Sequence, residues 1–202
     1  MICHIPPRNT TGKSNLAYWE GFLTPKEISY LLNLKDWENT IPACVGGNNR
    51  ENTNSVNLGI RRTDVTWLDR NPETEIIWQK LADITAEVNR QFFQFDLTGF
   101  YEPIQLGLYA AENAGHYDWH TDACFKDRLA PRKLSMALML SDLNDFEGGD
   151  LEVKTVNDVP HKLELAQGRA WFFASHTLHR VTPVTKGIRK SLVLWAGGPQ
   201  FK

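Results

Sequence analysis

The sequence predicts a mainly β protein with flanking helices, of α+β class, built as a sheet sandwich or open barrel with the helices on one face. Three features predict it. Two helix-start signals lie in the first half of the chain. After Thr98, short alternating or apolar runs replace helical spacing. Turn signals separate those runs.

The first helix-start signal is Thr24-Pro25-Lys26-Glu27. Thr24 can cap, Pro25 suits the first helical position, and Glu27 completes a capping box, so a short helix is expected to about Leu34. Asn71-Pro72 repeats the signal before a longer helix whose Ile77, Leu81, Ile84 and Val88 share one face. Between the helices, 46–54 (GGNNRENTN) has nothing to pack and reads as a loop. Downstream, Ile104, Leu106 and Leu108 alternate with Gln105, Gly107 and Tyr109. The runs 134–140, 151–155, 163–165, 170–173 and 191–195 supply further strands. Asn113-Ala114-Gly115, Glu147-Gly148-Gly149-Asp150, Gln167-Gly168 and Lys186-Gly187 break them. The expected organisation is one domain over 1–202, with helical support at about 24–93 and a strand core at about 98–198.

The chain has 202 residues, 42% hydrophobic and 23% charged, with formal net charge −2. That balance gives no bulk attraction to nucleic acid or to an anionic membrane. No apolar stretch approaches spanning length. Met1 to Leu16 lacks a positive segment followed by an apolar run. Cys3, Cys44 and Cys124 are odd in number and lack zinc-type pairing, which fits a reducing compartment. The expectation is a cytoplasmic protein with no nucleic-acid or membrane partner.

The candidate chemistry starts at His120-Thr121-Asp122. On a strand, residues two apart share a face, so imidazole and carboxylate can meet one metal ion. A lone His-x-Asp has little specificity, and a surface polar pair is the plainer alternative. A third ligand must come from His4, His116, His161, His176 or His179. His179 has the best context, between the apolar run Trp171-Phe172-Phe173 and Arg180-Val181-Thr182-Pro183-Val184. Two histidines and one carboxylate with open positions form the facial triad of non-haem iron oxygenases. Ten positions on, Arg189 offers the planar two-pronged grip that a carboxylate needs. Alternation places Ser191, Val193 and Trp195 on the face of Arg189, and Lys190 on the other. A solvated arginine after a turn is the alternative for Arg189. His176 is expected to face solvent, Met136 and Met139 to be core, and Trp119 to line the cleft or simply pack.

Three segments together resemble the prolyl 4-hydroxylase branch of the 2-oxoglutarate oxygenases: 109–122 (YAAENAGHYDWHTD), 134–153 (LSMALMLSDLNDFEGGDLEV) and 168–195 (GRAWFFASHTLHRVTPVTKGIRKSLVLW). The order His-x-Asp, Gly-Gly-Asp, His, then Arg ten residues on follows that family, and the resemblance covers roughly 104–196. Upstream, Arg61-Arg62-Thr63-Asp64-Val65-Thr66-Trp67 is similar to the strand after the mobile substrate loop. The resemblance implies a double-stranded β-helix (jelly-roll, cupin-like). It implies Fe(II) on His120, Asp122 and His179, with 2-oxoglutarate on Arg189, helped by Ser191 and lined by Tyr109. O2 is the co-oxidant, and ascorbate the expected reductant. Collagen-type members carry lysine where this chain has Arg189, so the match leans to bacterial, phage or oxygen-sensing types. Some relatives have a central-strand tyrosine on the cosubstrate; here that strand reads Met136-Ala137-Leu138-Met139, with no equivalent.

The activity so implied is hydroxylation of a prolyl residue at C4 in a protein or peptide, with release of succinate and CO2. Arg62, Asp64 and Trp195 are the expected substrate contacts. The loop from about Gly46 to Asn57 is expected to order over the substrate. The rivals are an oxygenase of a free amino acid or another side chain, a zinc hydrolase with Asp118 as general base, and a non-catalytic metal-binding protein on the same fold. Oligomeric state is not encoded in any of these signals.

Overall fold

A computed structural model describes residues 15–44, 56–123, 131–154 and 158–199. In chain order they form β1 (Leu16–Trp19), α1 (Pro25–Leu32), β2 (Ile41–Pro42), β3 (Arg61–Arg62), β4 (Asp64–Leu68), α2 (Glu75–Val88), β5 (Gly99–Phe100), β6 (Ile104–Ala110) and β7 (His116–His120). Then follow β8 (Arg132–Met139), β9 (Phe146–Gly148), β10 (Leu151–Lys154), β11 (Pro160–Lys162), β12 (Ala170–Ala174), β13 (His179–Val181) and β14 (Val184–Gly197). None of the described helices is long and apolar enough to cross a membrane.

Two antiparallel sheets face each other. Among the described residues the larger has nine strands, ordered β1-β12-β8-β14-β6-β4-β2, with β5 and β9 added at opposite ends of β14. The smaller has five, ordered β11-β10-β13-β7-β3. The chain crosses from the smaller to the larger sheet at Thr63, between β3 and β4. This is the double-stranded β-helix.

Strand alternation sorts side chains to the two faces of the large sheet. Leu106, Leu138, Phe172, Leu192 and Leu194 point outward, where Leu31, Ile77, Leu81, Ile84 and Val88 of the helices cover them. The inner face holds Tyr109 and Met139, which pack on Leu151, Val153, Val181 and Val184. That second apolar cluster fills one end of the space between the sheets and leaves the other end open.

The helices form for the reasons the sequence supplies, with shifted ends. Glu27 N–H donates to Thr24 Oγ1 at 3.3 Å while Thr24 N–H donates to Glu27 Oε2 at 2.7 Å, closing the capping box. The second helix starts later than Asn71-Pro72 implies. Asn71 Oδ1 accepts from the N–H groups of Glu73 and Thr74, at 2.9 and 3.1 Å, and so spends the signal on a turn. One strand expectation needs correcting, and one strand is not among those expected. The partner of β10 is β11 at Pro160–Lys162, not 163–165, because Leu163 turns inward after its N–H donates to Leu151 O at 2.8 Å. The edge strand β1, paired with β12, has no sequence signal read above. The loop expected to order over the substrate lies, but for its last two residues, outside the described residues.

Candidate metal and cosubstrate site

The open end between the sheets is a cavity of about 560 Å³. Its small-sheet wall carries the metal-ligand candidates. β7 delivers His120, Asp122 lies two residues beyond its end, and β13 delivers His179 directly opposite His120. One donor atom from each lies within 4.8 Å of the other two. His120 Nε2 is 3.8 Å from Asp122 Oδ1, and His179 Nε2 is 3.6 Å from Asp122 Oδ2. Those gaps are too long for hydrogen bonds. Asp122 Oδ2 is buried with no hydrogen-bond partner, a costly state for a carboxylate oxygen unless a cation sits against it.

Main-chain carbonyls set the tautomers. His120 Nδ1 lies 2.7 Å from Asp118 O, and His179 Nδ1 lies 2.9 Å from Thr177 O. Each Nδ1–H therefore donates outward, and each Nε2 faces the gap. Burial, reinforced by the neighbouring His179, pulls His120 down to about 3, so its imidazole is neutral at ordinary pH. Burial would raise the Asp122 carboxyl, but the two histidines outweigh it and hold the group below its usual range. Two imidazole nitrogens and one carboxylate suit a divalent iron or zinc ion.

The large-sheet wall carries a candidate anion site. Arg189, Ser191, Val193 and Trp195 of β14 all line the cavity, while Lys190 turns out over the ring of Trp37. Arg189 is 3% exposed and donates from one terminal nitrogen to Ser191 Oγ at 3.1 Å. Its guanidinium carbon lies 5.0 Å from the Tyr109 ring centre, as the pairing of Arg189 with Tyr109 across β14 and β6 requires. Burial pulls its pKa down, partly offset by Tyr109 and Asp150. Nε has no partner, and among the described residues no carboxylate pairs with the guanidinium. The Gly-Gly-Asp turn makes room for it. Gly149 has φ +63°, and a Cβ there would lie 2.8 Å from Arg189 Cδ and 2.9 Å from Val184 Cγ2. Gly149→Ala should therefore displace Arg189 as well as strain the turn. The expected result is a raised 2-oxoglutarate requirement and a lower melting temperature, with metal affinity retained; cosubstrate and iron titrations beside a thermal melt check it.

The expected substrate contacts divide. Trp195 lines the cavity but is buried, with Arg132 stacked 3.6 Å over its ring and Trp67 at 6.4 Å. Arg132 is itself bound by Glu102. Arg62 and Asp64 lie outside the cavity lining. The register of β3 on β7 pairs Arg61 with Tyr117 and Arg62 with His116, so adjacent arginines face opposite ways. Arg62 donates to Leu58 O and Asn113 O at 2.9 and 3.2 Å, and Arg61 enters the cavity instead. Asp118 is not on the His120 face either. The register shifts between the pairs His179–His120 and Val181–Tyr117, a bulge that breaks alternation. Tyr117 turns inward and stacks on His120 at 3.4 Å and 12°. Asp118 is exposed and caps Trp119 N–H at 2.8 Å. Trp119 packs between Lys154 and Arg180 and does not line the cleft. His176 is exposed, and Met136 and Met139 are core. No sequence motif marks Arg61, Tyr117 or Gln105 as site residues; the adjacent arginines hint at the first, and alternation with Tyr109 at the last.

The model of the 2OG-Fe(II) oxygenase superfamily matches residues 104–197. A PKHD-type hydroxylase of Synechococcus sp. (strain CC9311) is 38% identical over 84 residues, 42% of this chain and 37% of that protein. The matched stretches span 37% to 42% of the length of the first three curated relatives. A prolyl-4-hydroxylase of Pseudomonas putida superposes with TM-score 0.69 at 22% identity, covering 92% of this chain and 93% of its own. A prolyl hydroxylase of Trichoplax adhaerens, in complex with a peptide fragment of the hypoxia inducible factor oxygen degradation domain, gives 0.68 at 18% identity, covering 93% and 84%. At those identities the structures establish the shared fold.

Proposed function

We propose that this protein, whose residues 104–197 match the model of the 2OG-Fe(II) oxygenase superfamily, is a dioxygenase hydroxylating prolyl residues at C4 in a protein or peptide. The observation that carries the dioxygenase part is Arg189, a buried arginine with no ion-pair partner among the described residues, facing the same cavity as a His-Asp-His cluster. A metal site alone fits a hydrolase as well as an oxygenase. A hydrolase also needs a base beside its metal-bound water. Among the described residues the cavity-lining carboxylates are Asp122, within the cluster, and Glu102, held by Arg132.

In this reading His120 Nε2, Asp122 and His179 Nε2 hold iron(II). Arg189 and Ser191 bind the distal carboxylate of 2-oxoglutarate, with Tyr109 alongside and ascorbate as reductant. With iron(II), 2-oxoglutarate and dioxygen bound, such a site couples oxidative decarboxylation of the cosubstrate to hydroxylation of a C–H bond, releasing succinate and carbon dioxide. The chain supplies position and environment. Asp122 provides one fixed negative charge, and the carbonyls of Asp118 and Thr177 hold both imidazoles in register. Phe173, Val181, Leu151 and Val193 form apolar walls that limit water around the reacting carbon. Trp67, exposed in the cavity lining, offers a flat surface on which a pyrrolidine can pack.

The prolyl part draws on the likeness to the two prolyl hydroxylases, one of which holds a peptide. Incubation with proline-containing peptides, 2-oxoglutarate, ascorbate and iron(II), with zinc as control, tests both parts. Iron-dependent succinate and one added oxygen on proline are expected. Succinate without oxidised peptide would remove the prolyl substrate. No succinate with any substrate, and no binding of 2-oxoglutarate, would remove the oxygenase.

A further inference from the structure

Among the described residues, the oxygenase reading finds a counter-charge for every charged side chain lining the cavity except one. Arg189 meets the cosubstrate, Asp122 meets the metal, and Arg132 is held by Glu102. Arg61 remains, lining the cavity at 8% exposure. One terminal nitrogen donates to Gln105 Oε1 at 3.0 Å, and the guanidinium carbon lies 4.3 Å from the Tyr117 ring centre. Both partners are neutral. Arg61 Nε is buried without a hydrogen bond, and among the described residues no carboxylate pairs with the side chain. A cation this far from water is costly until an anion meets it.

Its position separates it from the cosubstrate site. β3 belongs to the small sheet and Gln105 to the large one, so Arg61 reaches across the space between them. Gln105 is paired with Val193, midway along the row from Arg189 to Trp195. The Tyr117 ring lies between Arg61 and His120, since neither stacking distance leaves room for both on one face. A group held by Arg61 therefore sits beside the metal ligands, above the subsite of Arg189, at the level where a substrate enters.

We propose that Arg61 is the receptor for a carboxylate carried by the substrate itself, close to the residue that is oxidised. The proposal rests on the oxygenase reading and narrows its substrate class. A planar guanidinium with free N–H groups matches a carboxylate in two-pronged fashion, whereas a peptide carbonyl brings no charge. The carboxylate has two possible sources: the terminal carboxylate of a peptide or amino acid, or an acidic side chain next to the oxidised residue.

Calorimetric titration of the protein with iron(II) and 2-oxoglutarate under nitrogen separates them. One ligand pair is N-acetyl-alanyl-proline and its C-terminal amide. The other is N-acetyl-aspartyl-proline amide and its asparaginyl counterpart. In one pair the acid should bind about tenfold or more tightly than its neutral partner, as for a charge-assisted pair, and which pair it is names the source. Arg61→Gln should bring that ratio close to one, and Arg61→Lys should keep part of it. If Arg61 only props Tyr117, Arg61→Gln weakens both members alike and the ratio survives, which overturns the proposal. Equal affinities within both pairs for the unaltered protein also overturn it. The oxygenase reading is scored separately, by 2-oxoglutarate binding and succinate release, and the acid-to-neutral ratio stays readable if that reading fails.

Discussion

Replacing His120, Asp122 or His179 with alanine should abolish turnover and weaken iron binding by more than the roughly 10–100-fold that loss of an outer-shell partner costs. Each change removes one of three donors, and the large sheet offers no substitute. The fold should survive, because the triad adds little to either apolar cluster. Asp122→Ala gives the sharpest form of the test. Without metal, the two histidines still favour the ionised Asp122 carboxylate, so at neutral pH the metal-free variant should melt lower than the unaltered metal-free protein. With iron added, only the unaltered protein should gain stability, by mass action. Thermal melts with and without iron(II), beside a direct iron titration, read both halves. Normal iron affinity in His179→Ala together with its loss in His176→Ala would show the third ligand to be misassigned.

Arg189→Ala should raise the 2-oxoglutarate requirement steeply. Removing one partner of a buried ion pair costs about 3–5 kcal/mol, on the order of a hundredfold to several thousandfold in affinity. Arg189→Lys should recover part of this through charge alone, without the two-pronged geometry. Lys190→Ala should change it little, since that side chain faces Trp37 on the other side of the sheet. Without cosubstrate the ranking of stability should reverse. Arg189→Met relieves an unpaired buried cation and should melt higher than the unaltered protein, while losing the stabilisation that 2-oxoglutarate confers on it. Cosubstrate titrations and paired melts check both.

What could be read in the sequence was whatever one strand or one cap decides by itself. Thr24 and Glu27 are three residues apart and close their box without outside help. Arg189, Ser191, Val193 and Trp195 share a face because β14 stays regular over that stretch. What escaped depends on partners distant in sequence. Alternation places Asp118 with His120, and the bulge opposite His179 reverses this, bringing Tyr117 in and turning Asp118 out. That register is set by β13, some sixty residues on. Arg61 and Arg62 are one chemistry in one-letter code, and only the pairing of β3 with β7 decides which faces the cavity. Asn71 has the composition of a helix start but spends its side chain on a turn.

The main-chain carbonyls behind His120 and His179 have a consequence for how this site tolerates sequence drift. In many proteins a neighbouring acidic or amide side chain fixes the tautomer of a ligating imidazole, and one substitution can undo it. Here the acceptors are Asp118 O and Thr177 O, which every residue type possesses. The identities at 118 and 177 are thus free to vary so long as the bulge and the turn before β13 keep their course. The orientation of the ligands is inherited with the backbone path, so copies of this site can diverge around the ligands without disarming them.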